Sequence, residues 1–145
     1  MWRRPAMRAR LLAPLLRRRL GRLARQHLVA QRVLVERGGA KRSLPIVIGI
    51  VEIFAIDRRL KGLEPPRPMT HDLLASVIDH LEAKIDKIVI NDLKDHTFYA
   101  QIHLRDKDGR IEIVDCRPSD AIAVGVALKA PIFVADHVLT ETAGQ

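Results

Sequence analysis

The chain has 145 residues, the size of one ordinary domain with one hydrophobic core. Its net charge of +8 is uneven, since residues 1–42 hold 13 Lys or Arg and one acid, whereas residues 43–145 hold 12 Lys or Arg and 16 acids. The second part therefore needs a local basic patch or bound cations to hold a phosphate backbone. The single cysteine, Cys116, excludes a disulfide framework within the chain and a zinc site of paired thiolates, and we expect a reducing, cytoplasmic location.

Residues 1–28 form an extension rich in Arg and Leu, with no apolar run near the ~20 residues that cross a bilayer. Four of its leucines recur at helical spacing around Pro14 and beyond it, with arginines among them: Leu12, Leu16, Leu20 and Leu23. This pattern predicts a basic amphipathic helix that lies on anionic lipid, nucleic acid or an acidic partner. The alternative is a solvated, partly disordered extension.

The domain itself is predicted over residues 29–140, with a short tail over residues 141–145. β-rich runs at Val29–Glu36 and Leu44–Ile50 flank a Gly-Gly pair, which favours an antiparallel hairpin. Val51–Lys61 has helical periodicity and ends before Gly62. The prolines of Glu64–Pro68 exclude a helix and indicate a stiff, extended loop.

The second half contains two further helical patterns and several strand-like runs. Thr70 is the predicted N-cap of the second helix, and Ser119 is the predicted N-cap of a third helix, Asp120–Lys129. The third helix is apolar on all sides and should be buried. The remaining runs are strands at Lys84–Asn91, Thr97–Leu104, Arg110–Asp115 and Pro131–Ala135, and a closing helical turn at Asp136–Leu139. We predict a single α+β domain, with about three helices packed on a mixed, largely antiparallel sheet.

Three blocks of the sequence resemble the signature blocks of the bifunctional nuclease domain family. They are Arg42–Gly49 (RSLPIVIG), Glu64–Leu74 (EPPRPMTHDLL) and Asp115–Ala123 (DCRPSDAIA), in the same order and spacing. The resemblance implies a nuclease that hydrolyses phosphodiester bonds of DNA and RNA. Family members typically open with a short strand and no arginine-rich segment, and residues 1–26 depart from that pattern.

Phosphodiester hydrolysis requires an activated water and positive charge beside the phosphate. Carboxylates that hold a divalent metal such as Mg²⁺ or Mn²⁺ supply both, as does His together with Arg or Lys. The candidates lie mostly in the three blocks: His71, Asp115 and Asp120 as catalytic residues, Arg67, Arg117 and Ser119 as substrate-binding residues, and Glu52, Asp72 and Asp120 as metal ligands.

Each candidate also has a purely structural explanation. Arg117 can pair with Asp115 or Asp120, and Ser119 and Asp120 can cap a helix. The remaining alternatives are a core position for His71, helix-dipole compensation by Glu52 and Asp72, and loop anchoring by Arg67. Along the strand at Arg110–Asp115, Ile111 and Ile113 should face the core with Asp115 beyond them, and Cys116 should face the other way, which disfavours a catalytic thiol.

Two functions follow from these observations. The first is a metal-assisted nuclease with DNA or RNA as substrate, whose candidate residues converge in one cleft. The alternative is a non-catalytic binding or regulatory module, a homo-oligomer with a dimer favoured, in which the Pro-rich loop and the third helix make subunit contacts. A third hypothesis gives the arginine-rich extension the task of tethering the domain to nucleic acid or membrane.

Overall fold

The computed structural model describes the backbone of residues 7–11, 29–36 and 42–143 and the side chains of residues 42–142. Seven strands occur there: β1 (Met7–Leu11), β2 (Val29–Glu36), β3 (Ser43–Gly49), β4 (Lys84–Lys94), β5 (Thr97–Arg105), β6 (Ile111–Cys116) and β7 (Ile132–Val134). The same residues include four helices: α1 (Ile50–Leu60), α2 (Thr70–His80), α3 (Pro118–Ala127) and α4 (Asp136–Ala143).

The strands form one sheet in the order β3-β2-β1-β7-β4-β5-β6. Only β4 and β7 pair in parallel, and the other neighbours are antiparallel. The predicted α+β class with a mixed, largely antiparallel sheet is therefore confirmed, as is the antiparallel pairing of β2 with β3. Strand β1 comes from the N-terminal extension and lies between β2 and β7, whereas the predicted amphipathic helix falls outside the described residues.

The hydrophobic core lies between the helices and alternate residues of β3, β4 and β5. Helix α3 is at its centre, and its residues from Pro118 to Gly125 are buried except for the partly exposed Asp120, which confirms the predicted burial for this part of the helix. A Cβ at Gly125 would overlap Ile88 Cδ1, so glycine lets α3 pack closely on β4. These buried residues are unavailable for the subunit contacts suggested above. Within the described ranges, no helix is long and apolar enough to span a membrane.

Two predicted N-caps are wrong by one or two residues. Met69 precedes α2, and its backbone N–H donates to Asp72 Oδ2 at 2.8 Å. Arg117 precedes α3 because Pro118 takes the first helical position, where its fixed φ fits and its missing N–H costs nothing. Ser119 is consequently a buried helical residue and not a cap.

Several boundaries also differ from the sequence prediction. Strand β4 continues to Lys94 across a register shift after Ile90, and α4 continues to Ala143. Ile111 and Ile113, expected in the core, are 41% and 54% exposed. Both β3 and β6 end the sheet, but the helices pack against β3 and hardly contact β6, which no pattern within β6 itself reveals.

Candidate functional site

Four of the predicted side chains form one hydrogen-bonded cluster around Arg117. Arg117 Nε donates to Asp120 Oδ2 at 2.7 Å, and Arg117 Nη2 donates to Asp120 Oδ1 and to Glu52 Oε1, both at 2.9 Å. On its other side, Asp120 Oδ1 lies 3.1 Å from His71 Nε2. We call Glu52, His71, Arg117 and Asp120 the histidine cluster.

The starts of three helices bring these residues together. Arg117 and Asp120 are the N-cap and third residue of α3, so their side chains lie on the same side of the first helical turn. Glu52 has the corresponding third position in α1, after Gly49. A Cβ at Gly49 would overlap Glu52 Oε2, so glycine leaves room for the carboxylate that accepts from Arg117. This explains a glycine at the end of the first family-like block.

Electrostatic interactions keep both Asp120 and Arg117 ionised. Partial burial alone would raise the pKa of Asp120, but hydrogen bonds from Arg117 and His71 and the Arg117 charge outweigh it and lower this pKa below 3.8. Hydrogen bonds to Asp120 and Glu52 likewise raise the pKa of Arg117 above its ordinary value. Because an ionised carboxylate only accepts hydrogen bonds, His71 Nε2 donates the hydrogen of the bond to Asp120.

The cluster opens into a cleft of about 650 Å³ between α2, α3 and the ends of β5 and β6. His71, Arg117 and Asp120 line it, and the Arg117 side chain is 66% exposed, compared with 12% for His71. Arg117 Nη1 makes no hydrogen bond to the described residues, so it is available to a ligand. The cleft therefore offers an ordered imidazole beside an outward-facing cation.

Sequence reasoning missed the other side chains that line this cleft. Phe98 and Tyr99 lie in it together with Thr70 and Thr97, and Lys94 Nζ lies 5.9 Å from the centre of the Tyr99 ring. An adjacent pair of aromatics in a chain with only 3% aromatic residues was the available signal. An exposed ring and a nearby ammonium group are features that suit a nucleobase and its phosphate.

The remaining predicted site residues are not in the histidine cluster. Asp115 lines the cleft but makes no ion pair with a described side chain, and Ser119 is buried in α3. Arg67 is exposed in the loop and makes no hydrogen bond or ion pair with a described residue. Asp72 follows His71 in α2 but accepts hydrogen bonds from Arg58 and Arg59.

The predicted metal ligands therefore do not form one site. Asp72 pairs with two arginines, and the Arg117 guanidinium connects Glu52 to Asp120. Across residues 42–142, no three His, Cys, Asp or Glu side chains are arranged to hold a metal ion. Cys116 lines the cleft, but burial, followed by the charge of Asp115, raises its thiol pKa to about 11, which disfavours a thiolate nucleophile.

The structure thus defines an α+β domain with an open cleft that holds a histidine, two carboxylates and an exposed arginine. The bifunctional nuclease domain family matches residues 33–145. The chain belongs to this family, and the resemblance of the three blocks is confirmed.

Two relatives come from Mycobacterium tuberculosis, strains CDC 1551 / Oshkosh and H37Rv, and both are described as uncharacterized proteins. Each is 38% identical to this chain over 109 residues, which is 75% of this chain. The aligned region covers 64% of the length of each relative.

Proposed function

We propose that this protein hydrolyses phosphodiester bonds of DNA and RNA in the cleft beside the histidine cluster. The observation that carries the proposal is the convergence of His71, Asp120 and Arg117 at one opening, in a chain of the bifunctional nuclease domain family. Residues from separate family-like blocks meet there, as a shared chemical task requires.

In the proposed reaction, His71 acts as the general base. Its Nδ1 takes a proton from a water molecule whose oxygen attacks the phosphorus, and the bond from phosphorus to the leaving nucleoside oxygen breaks. Solvent supplies the proton of that leaving oxygen. Asp120 orients the imidazole and stabilises its protonated form, and Arg117 Nη1 neutralises the charge that develops on the phosphate oxygens.

In this proposal, the same arrangement would act on both nucleic acids. The nucleophile is water and not a ribose hydroxyl, so a deoxyribose strand is attacked as readily as a ribose strand. Tyr99 provides a stacking surface for a base of either kind, because every base has a π face. Lys94 adds positive charge near that ring.

The chemistry proposed here is assigned to His71 and Arg117 rather than to a metal. A cation that bound Glu52 and Asp120 together would have to displace the guanidinium that now contacts both. We therefore expect cleavage to persist in EDTA, and an absolute requirement for Mg²⁺ or Mn²⁺ would overturn this assignment.

The decisive experiment compares cleavage of labelled single- and double-stranded DNA and RNA by wild-type protein, His71→Ala and Arg117→Gln. His80→Ala is the matched control, because His80 is an exposed histidine at the other end of α2. We expect a rate loss of about 100-fold or more in His71→Ala and none in His80→Ala. Equal cleavage in all preparations, or none with wild-type protein, would overturn the proposal.

The exposed face of α2 supports a second candidate, a self-associating binding module. Leu73, Val77 and Leu81, which do not line the histidine-cluster cleft, are 59%, 45% and 69% exposed. Leucine and valine on one helix face indicate a surface that another molecule covers. The double variant Leu73→Glu with Leu81→Glu should reduce the mass measured by light scattering without altering cleavage per chain, and an unchanged mass would contradict self-association through this face.

A further inference from the structure

A second cleft, of about 420 Å³, lies on the other side of the α2 N-terminus, and we call it the arginine cleft. Arg58 and Arg59, at the end of α1, line it with Lys129, the acidic residues Glu64 and Asp72, and the apolar side chains of Leu63, Pro65 and Pro68. None of its lining residues belongs to the histidine cluster. Its volume lies within the range of small-ligand sites.

Three cationic and two acidic residues line this cleft, so positive charge exceeds negative charge by one. Arg58 Nη2 lies 2.9 Å from Asp72 Oδ2, and Arg59 Nη2 contacts Asp72 Oδ1, so two guanidinium groups share a single carboxylate. Their side chains are only 16% and 12% exposed. Solvent therefore screens the uncompensated charge poorly, and an anion is favoured beside it.

The two arginines also retain unused hydrogen-bond donors. The Nε–H groups of Arg58 and Arg59 are buried and have no partner among the described residues. A buried donor without an acceptor is unfavourable, and these two can donate to a ligand oxygen only after a small movement of the arginine side chains, which would relieve that cost. Arginine donors are arranged to match the oxygens of phosphate and carboxylate groups.

Lys129 adds a cation at a strained position. It follows the end of α3 with φ of +54°, a left-handed conformation that favours glycine over lysine. Its backbone N–H closes the helix end by donating to Val126 O. Lys129 therefore combines a strained backbone with an exposed, positively charged side chain at the arginine cleft.

We propose that the arginine cleft binds a small phosphate monoester, such as a nucleoside monophosphate, with the phosphate beside Arg58, Arg59 and Lys129. The apolar surfaces of Leu63, Pro65 and Pro68 would contact the remainder of the ligand. This site goes beyond the proposed nuclease activity and does not depend on it.

Calorimetric titration of the full chain with inorganic phosphate, AMP, succinate and an oligonucleotide without terminal phosphates tests the proposal. We expect AMP to bind, and Arg59→Gln to weaken it roughly tenfold or more through loss of a charged hydrogen bond. Arg117→Gln and Arg67→Gln should bind AMP as wild type does, because neither residue lines the arginine cleft. Retained affinity in Arg117→Gln, which removes the phosphate-binding cation of the histidine cluster, separates the two sites, so failure of the nuclease proposal would leave the result intact.

Lys129→Gly is a second test variant in case Arg59→Gln folds poorly, since glycine relieves the left-handed strain at this position. This variant should be at least as stable as wild type and bind AMP more weakly. Tighter binding of succinate than AMP would overturn the choice of phosphate. Displacement of AMP by the unphosphorylated oligonucleotide would overturn the small-ligand assignment in favour of a backbone phosphate, and unchanged AMP affinity in Arg59→Gln and Lys129→Gly would overturn the site.

Discussion

The first turn of α2 separates two clusters of opposite charge balance. His71 contacts Asp120 in a cluster where two carboxylates share the charge of Arg117, whereas the next residue, Asp72, contacts two arginines. Adjacent positions on a helix are about 100° apart, so consecutive residues reach different neighbours. The first turn of α2 therefore contributes His71 to the histidine cluster and Asp72 to the arginine cleft.

The two clusters also differ in how accessible their arginines are. Arg117 is 66% exposed and keeps Nη1 free of described partners, while Arg58 and Arg59 are largely buried. An exposed guanidinium can bind and release a substrate with little change in the fold. A buried one contributes to the structure first, because loss of its counterion leaves a charge in a poorly solvated site.

The largest expected effect that tests this comparison is the loss of stability in Asp72→Ala. Removing this carboxylate leaves two buried arginines without their partner and deletes the cap on the Met69 N–H. We expect the free energy of unfolding in urea to fall by about 2–4 kcal/mol. Asp120→Ala should cost less than half as much, since its arginine partner is solvated. Equal losses in the two variants would remove the distinction between the clusters.

The next effect is the dependence of stability on acid pH. Partial burial alone would raise the pKa of Asp72, but the hydrogen bonds from Met69 and Arg58 and the charges of both arginines lower it below 3.8. A carboxyl group whose pKa is lower in the folded state stabilises the fold above its unfolded pKa, and this contribution is lost as pH falls through the folded value.

Asp72→Asn should therefore reduce the free energy of unfolding at pH 7, and this reduction should shrink as pH falls toward and below 3. Urea unfolding of wild type and variant across this interval measures the difference. Asp120→Asn is the matched comparison, because the pKa of Asp120 is lowered by a single arginine and a histidine. A constant difference between wild type and Asp72→Asn at every pH would show that charge is not the source of the stabilisation.

Much of the fold was predictable because local patterns determine it. The hairpin of β2 and β3 and the buried helix α3 follow from strand and helix periodicity with turn residues between them. The exposure of Ile113 was not predictable, since it depends on which strands the helices cover. Similarly, the sequence pointed to His71, Asp120 and Arg117, but tertiary structure decided that Asp72 contacts Arg58 and Arg59 instead. No spacing rule links residues 14 positions apart in different helices.

The smallest expected effect is on the cleavage rate, and it separates the position of the Glu52 carboxylate beside Arg117 from the mere presence of that carboxylate. In Gly49→Ala, the new Cβ would occupy the position of Glu52 Oε2, and because Glu52 ends in a flexible group we expect it to move away from Arg117 while the fold persists. Arg117 then loses one of the two carboxylates that hold it, and we expect the cleavage rate to fall by roughly tenfold, the value of one charged hydrogen bond.

Glu52→Gln should cause a similar decrease, and AMP binding in the arginine cleft should change in neither variant. If Gly49→Ala left cleavage intact while Glu52→Gln reduced it, the carboxylate would act without its contact to Arg117, and the fixed position of Arg117 would have to come from Asp120 alone.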